Sequence, residues 1–198
     1  MLKIVNVPNP ILTSPVKKVE QFDGLLAKLV KDMDQTLANQ VNPQGVGLAA
    51  PQVGINLALF IIKPTADAKT EVFVNPHILK LDVRSSKLDD QKKHQTSNIK
   101  PRTSKPKSKL EGCLSIPKIW GTVKRADKVF LEFYDLAGKE YKKWFSGFKA
   151  LIIQHELDHL KGVLFTQRAL EQNAQLYEEK EGKLKKVLSQ DMVSTPSP

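Results

Sequence analysis

The sequence predicts an α+β domain in which antiparallel or mixed β-strands wrap around one central helix, with a second helix near the C-terminus. Residues 147–161 predict the central helix, because they are largely apolar and their charged positions cluster late in the segment. Short apolar or alternating segments before this helix are typical of strands. With 198 residues, 40% of them hydrophobic, the chain is long enough for one domain, residues 1–198, with its own core.

The segments that precede the central helix are predicted in chain order. Residues 24–38 predict an amphipathic helix, and residues 41–56 predict a loop because Gly and Pro interrupt them. Residues 57–63 and 71–76 predict two short strands, the first apolar enough to be buried, and residues 128–145 predict a hairpin. The apolar face of the first helix is expected to contain Leu25, Leu26, Leu29, Val30, Met33 and Leu37.

Residues 84–109 form a strongly basic segment. They contain nine Lys or Arg and two Asp, a net charge of +7 out of +10 for the whole chain. No aromatic residue and only two large apolar residues occur there, so we expect a mobile surface loop inserted into the domain. The alternative, a docking element for RNA, lacks aromatic side chains for stacking. Towards the C-terminus we expect a charged helix over about 167–188 and a flexible tail over 189–198.

Composition excludes some classes of protein and favours others. No stretch approaches the roughly 18 consecutive apolar residues of a membrane-spanning helix, so no membrane association is expected. The first residues show neither a signal-peptide nor a transit-peptide pattern. The single cysteine cannot form an internal disulfide, which fits a reducing compartment. We therefore expect a cytoplasmic protein.

The central helix carries the pattern His155-Glu156-x-x-His159. Two histidines four residues apart lie on the same helical face, about 5–6 Å apart at Cβ, and can share one metal ion. Glu156 can reach the open side of such an ion, where a water molecule would bind. The alternative is that both histidines are ordinary core residues, but a buried cluster of His, Glu and Asp needs compensation that a metal ion would supply.

A catalytic metal centre needs a third protein ligand. Glu178 or Glu179 could supply it, although that region is rich in solvated charge. His77 and His94 are expected at the surface. The remaining candidate is Cys113, the only cysteine of the chain, in the sequence EGCLSIP.

Three motifs occur in one order along the chain: GVGLAAPQ at 45–52, EGCLS at 111–115 and QHELDH at 154–159. With these motifs the chain resembles the peptide deformylases, metal hydrolases that remove the N-formyl group from nascent bacterial proteins. The resemblance extends from PNPIL near the N-terminus to about Phe165. It implies strands around a central metal-binding helix, and hydrolysis of the linear amide of N-formylmethionyl peptides with release of formate.

The resemblance also implies roles for individual residues. It implies one divalent metal ion per chain, usually Fe(II), which Zn, Ni or Co can replace, with Cys113, His155 and His159 as its ligands. Glu156 is then the general base and proton shuttle. The side-chain amide of Gln52 and the backbone N–H of Leu114 are then the donors to the oxyanion.

Substrate contacts follow from the same resemblance. An apolar pocket for the methionine side chain would be lined by Val46, Phe148, Leu151 and Ile152. The backbones of Gly47 and Gly112 could pair with an extended peptide. The chain departs from the family at Lys109, where an apolar residue is expected unless Leu110 takes that place. It also departs at Lys149 and through the basic insertion.

Other functions are compatible with parts of the pattern. One alternative is a zinc endopeptidase in which Cys113 is only structural, and another makes Cys113 a nucleophile with a histidine base. A third is an inactive homologue that binds the ribosome through its basic loop and C-terminal helix. The resemblance implies action on nascent peptides near the ribosomal exit tunnel, where a basic surface would assist association. We also expect a monomer.

Overall fold

A computed structural model describes residues 1–41, 43–82 and 109–187. The helices in this part of the chain are α1 (Gly24–Ala38), α2 (Gly147–Leu160) and α3 (Phe165–Glu171). The first strands are β1 (Gly47–Ala49), β2 (Leu59–Ile62), β3 (Glu71–Asp82), β4 (Lys109–Cys113) and β5 (Ile116–Val123). They are followed by β6 (Lys128–Tyr134), β7 (Glu140–Ser146), β8 (Leu176–Lys180) and β9 (Lys183–Val187).

The strands form two antiparallel sheets. One sheet has five strands in the order β1-β2-β3-β6-β7, and the other has four in the order β4-β5-β8-β9. β1 lies at one edge of the first sheet and β4 at one edge of the second. The predicted α+β class, with strands around a central helix, is confirmed.

Helix α2 is central because apolar side chains surround it on most sides. Ile152, Ile153 and Leu157 belong to one core cluster with Phe73 and Leu131 of the five-stranded sheet. A second cluster joins α1 to the same sheet through side chains including Met33 and Leu37.

Strand β2 is buried on both of its faces. Phe60 and Ile62 point into the cluster of α2, whereas Leu59 and Ile61 point into the cluster of α1. A strand buried on both faces needs a continuous apolar run rather than an alternating one. The prediction of a buried strand at 57–63 is therefore confirmed.

The helix at 24–38, the central helix and the hairpin at 128–145 are also confirmed. Asp23 caps α1 by accepting hydrogen bonds from the N–H groups of Leu25 and Leu26. Leu25 itself is 76% exposed, so it does not belong to the buried face predicted for this helix.

The 84–108 part of the basic insertion and the predicted tail at 189–198 lie outside the described residues, and Lys109 begins β4.

Three predictions of secondary structure are wrong or incomplete. The charged helix expected over about 167–188 ends at Glu171, and the β8–β9 hairpin follows. Its turn, Glu181-Gly182, has positive φ at both residues (54° and 71°), as a tight hairpin turn requires. The predicted loop at 41–56 contains β1 and a short 3-10 turn, and the second short strand, expected at 71–76, continues to Asp82. Among the described helices, none is long and apolar enough to span a membrane.

Candidate metal centre and active site

The three predicted metal ligands come together where the end of β4 meets α2. The ligand atoms of Cys113, His155 and His159 all lie within 4.8 Å of one another. Cys113 Sγ is 3.3 Å from His159 Nε2, and the two imidazole rings are 5.0 Å apart. One turn of helix separates the histidines, and a register shift between Gly112 and Cys113 occurs just before the thiol. In the described part of the chain, no other group of three such side chains has this geometry.

A buried network of charges orients His155. Its Nδ1 lies 3.1 Å from Glu111 Oε2, which leaves Nε2 as the ring atom available for a ligand. Arg125 donates two hydrogen bonds to the Glu111 carboxylate, at 2.8 and 2.9 Å, and a third to Asp158 on α2 at 2.5 Å. Arg168 of α3 donates to the other oxygen of Asp158 at 3.0 Å.

The sequence motifs did not reveal Arg125 or Arg168 as parts of this network. Each is a single basic residue in a chain with 31 Lys and Arg. Only the folded structure brings them to the carboxylates of Glu111 and Asp158, so no sequence signal could have found them.

The electrostatic environment favours the thiolate of Cys113. Burial alone raises the pKa of this thiol, but the adjacent His159 and His155 rings outweigh burial and lower the pKa to about 5. The thiolate is the form of cysteine that binds metal ions. Burial also raises the pKa of Glu111, but the hydrogen bonds from Arg125 and His155 outweigh it, so the pKa of Glu111 lies below its ordinary value.

Glu156 lies beside the three ligands in a buried position. Burial raises the pKa of its carboxyl group to about 7, against the smaller opposing effect of the histidines. Its Oε2 atom has no hydrogen-bond partner among the described residues. A Cβ atom at Gly47 would overlap Glu156 Oε1 and lie 2.8 Å from Ile152 Cγ2, so only glycine lets β1 approach so closely.

Gln52 is held in a fixed orientation beside the thiol. Its Oε1 accepts a hydrogen bond from the backbone N–H of Ala49 at 2.9 Å. Its amide nitrogen is then directed towards Cys113 Sγ at 3.4 Å and Ser115 Oγ at 3.3 Å. Leu114 lies in the turn that joins β4 to β5, directly after the thiol.

A cavity of about 230 Å³ opens beside this group. Leu110 and Trp120 contribute to its wall together with Gln52, Glu156 and His155. All the residues predicted to contact substrate also line it: Val46, Gly47, Gly112, Phe148, Leu151 and Ile152.

The two lysines that depart from the family pattern lie outside the cavity lining. Lys109 Nζ is 5.7 Å from the centre of the Phe148 ring, while Leu110 lines the cavity. Lys149 points away and pairs with Glu71.

The other candidate ligands lie elsewhere. Glu179 accepts a hydrogen bond from Trp120 Nε1 at 2.9 Å, and Glu178 pairs with Lys180 at 2.8 Å. His77 is exposed on β3, opposite Glu132 of β6. His94 lies outside the described residues.

Comparison with known proteins decides the family. The sequence profile described as polypeptide deformylase matches residues 1–175. The chain belongs to this family. Peptide deformylase 1 of Bacillus cereus is 37% identical over 181 residues, covering 91% of this chain and 97% of the relative. Peptide deformylase 1B, chloroplastic, of Oryza sativa is 34% identical over 170 residues, covering 84% of this chain and 54% of the relative.

Structural comparison gives the same family. The crystal structure of a peptide deformylase from Legionella pneumophila superposes with a TM-score of 0.69 at 34% identity and covers 85% of each chain. The predictions of a hydrolase and of the peptide deformylase family are thus confirmed. The Cys-His-His group is able to bind a metal ion, as expected for a metalloenzyme.

Proposed function

We propose that the protein is a peptide deformylase that hydrolyses the N-terminal formyl group of N-formylmethionyl peptides and releases formate. One observation carries this proposal beyond family membership. A Cys-His-His cluster, a buried carboxylate with a raised pKa and an oriented amide all face one small cavity. These are the groups that metal-assisted hydrolysis of an amide requires.

The donor set fits a divalent metal ion. A thiolate and two imidazoles provide three ligands and leave a further position for water, as in catalytic centres. When bound, the cation polarises the formyl carbonyl and lowers the pKa of water. We propose Fe(II) as the native metal, with Zn, Ni or Co as possible replacements, because this donor set suits all of them.

The side chains of the protein then carry the proton and stabilise the developing charge. Glu156 accepts a proton from the attacking water and delivers it to the departing amine, a role that suits a carboxyl group with a pKa near the working pH. Gln52 Nε2 and the N–H of Leu114 donate hydrogen bonds to the oxyanion. The Ala49–Gln52 hydrogen bond fixes the amide before substrate arrives, so little reorganisation is needed.

The substrate is held by its methionine side chain and its backbone. The apolar side chains of the cavity wall receive the methionine side chain; they are Val46, Phe148, Leu151 and Ile152. The cavity lies between the two sheet edges described above, because Gly47 of the edge strand β1 and Gly112 of the edge strand β4 both line it. An extended peptide can add its backbone to these edges.

An anaerobic assay tests the proposal. Iron-loaded protein should release formate from N-formylmethionyl-alanyl-serine, and no release by iron- or nickel-loaded protein would refute it. The control is Glu156→Gln, which keeps the size of the side chain but removes the base. It should bind the metal ion fully and lose about 10²–10⁴-fold in kcat.

The alternatives predict different results. A zinc endopeptidase with a purely structural Cys113 would cleave internal peptide bonds and would keep its metal when the thiol is removed. The position of Cys113 Sγ, 3.3 Å from His159 Nε2, disfavours it. An inactive homologue would bind formylated peptides without releasing formate.

We further propose that the protein acts as a cytoplasmic monomer on nascent peptides near the ribosomal exit tunnel. The support is the net charge of +10, most of it in residues 84–109, which would favour association with ribosomal RNA. Co-sedimentation with ribosomes should weaken with added salt and with deletion of 84–108. Salt-independent binding, or none, would contradict it.

A further inference from the structure

Ser115 is a buried residue that has no part in the chemistry proposed above. It lies two residues after the thiol of Cys113, in the turn that joins β4 to β5. Its exposed fraction is 0%, and it does not line the cavity of the metal centre. A hydroxyl group that reaches neither solvent nor substrate needs a hydrogen-bond partner inside the protein.

The partner of this hydroxyl is the side-chain amide of Gln52. Ser115 Oγ lies 3.3 Å from Gln52 Nε2, although 63 residues separate the two along the chain. Gln52 is itself only 2% exposed, so bulk water cannot take the place of Ser115 as the acceptor. Loss of the hydroxyl would therefore leave one hydrogen of a buried amide without a partner.

The amide group of Gln52 offers one acceptor and two donors, and the site uses each of them differently. The oxygen accepts a hydrogen bond from the N–H of Ala49 at 2.9 Å. Of the two hydrogens, one is directed to Ser115 Oγ and the other towards Cys113 Sγ, which is 3.4 Å from Nε2. Cys113 lines the cavity and Ser115 does not, so the second hydrogen is the one available to an oxyanion.

The N-terminal segment also ties the main chains of the two residues together. The N–H of Val5 donates to the carbonyl of Gln52 at 2.8 Å, and the N–H of Val7 donates to the carbonyl of Ser115 at 3.1 Å. These two donors are two residues apart on one segment. They hold the 3-10 turn of Gln52 beside the turn of Ser115, so the contact between the two side chains exists before substrate binds.

We propose that Ser115 is a positioning residue of the active site: its hydroxyl accepts one hydrogen of the Gln52 amide and thereby directs the other at the oxyanion. The inference rests on the proposed function, in which Gln52 is an oxyanion donor. A preorganised donor acts on charge that develops in the transition state, so loss of Ser115 should lower kcat and leave KM nearly unchanged. A residue that only fills space would lower stability without this selective effect.

A double-mutant cycle tests the positioning role. Ser115→Ala should lower kcat about tenfold, the scale of one hydrogen bond, while the metal content stays full. On a Gln52→Met background, which has no amide to position, the same substitution should change kcat by less than about twofold. A loss of about tenfold on both backgrounds, or no loss in Ser115→Ala alone, would overturn the proposal.

Thr36→Val is the matched control, because it removes another buried hydroxyl group at a distance from the site. Thr36 Oγ1 accepts a hydrogen bond from the N–H of Leu2 at 2.8 Å and donates one to the carbonyl of Asp32 at 2.9 Å. Thr36→Val should lower the Tm and keep kcat. An equal fall in kcat in this variant would assign the effect of Ser115→Ala to general destabilisation and overturn the proposal.

Nuclear magnetic resonance supplies a measurement that needs no turnover. In zinc-loaded protein, which is diamagnetic, the side-chain amide signals that disappear in Gln52→Met belong to Gln52. Ser115→Ala should shift one of the two Gln52 proton signals, and Thr36→Val should leave both in place. Unchanged Gln52 signals in Ser115→Ala would overturn the proposal even if formate is released. A shifted signal in a protein that releases no formate would support the positioning of the amide and contradict the proposed function.

Discussion

Arg125 offers the sharpest test of the charge network that orients His155, one of the proposed metal ligands. Its side chain is 8% exposed and bonds to Glu111 through two nitrogens and to Asp158 through a third. Arg125→Met removes the charge with little change in volume. The variant leaves the Glu111 carboxylate, which is 2% exposed, with only His155 as its partner.

The expected loss in the free energy of unfolding follows from the burial of Arg125 and Glu111. Removing one partner of a buried ion pair costs about 3–5 kcal/mol, because the other charge is left without compensation. Asp158 keeps its bond to Arg168, so most of the loss arises at Glu111. For a domain of this size the change corresponds to a Tm lower by about 6–20 °C.

Urea unfolding of the metal-free protein measures the free energy of unfolding directly. Arg125→Lys keeps the charge but not the paired hydrogen bonds, so it should lose less than Arg125→Met. The matched control is Arg168→Met, whose arginine is 34% exposed and should contribute about 1 kcal/mol or less. A loss below about 1 kcal/mol for Arg125→Met would refute the reasoning.

The loss of stability in Arg125→Met should also depend on pH. The folded-state pKa of Glu111 lies below its ordinary value of 4.5, so its contribution to stability is present above pH 4.5 and disappears as the pH falls through the folded pKa. The difference between the unchanged protein and Arg125→Met should therefore shrink in acid. A difference that grows in acid would contradict the assignment.

Three further predictions concern the active site. Gln52→Glu keeps the acceptor for the Ala49 N–H but loses the amide donor. The value of kcat should therefore fall about 10²–10³-fold while the metal content stays unchanged. A fall in kcat of less than tenfold would exclude Gln52 as an oxyanion donor. Gly47→Ala should lower kcat/KM by about 10²-fold in a folded protein, because its Cβ displaces Glu156, and full activity would show that the close contact is unimportant. In metal-free protein, the ultraviolet absorbance of the Cys113 thiolate should persist as the pH falls to about 5, and Cys113→Ser should lack this absorbance. Loss of the absorbance near pH 8 would contradict the lowering of the thiol pKa by the two histidines.

Periodicity and apolar runs in the sequence predicted the helices and strands whose structure depends on nearby residues. Helix α1 and the β6–β7 hairpin have clear periodicity, and β2 has the apolar run that burial on both faces requires. The β8–β9 hairpin did not follow from its charged sequence, because pairing of Tyr177 with Trp120 on β5 decides its structure. Such a contact between distant residues overrides helix propensity.

The candidate site likewise contains residues that the sequence predicted and residues that only the fold brings together. His155 and His159 follow from helical spacing, while the place of Cys113 came from the order of three motifs. Arg125 is 14 residues from Glu111 along the chain and 33 from Asp158, and the fold alone brings the three together. Trp120 likewise came to line the cavity of the candidate site only through the pairing of β4 with β5.

Metal content after anaerobic reconstitution tests the central claim most directly. The account predicts one divalent ion per chain in the unchanged protein and in His77→Ala, whose histidine is exposed on β3. Cys113→Ser should bind little or no metal under the same conditions, because the thiolate is one of three ligands. Full occupancy in Cys113→Ser would remove the thiol from the ligand set and contradict the account.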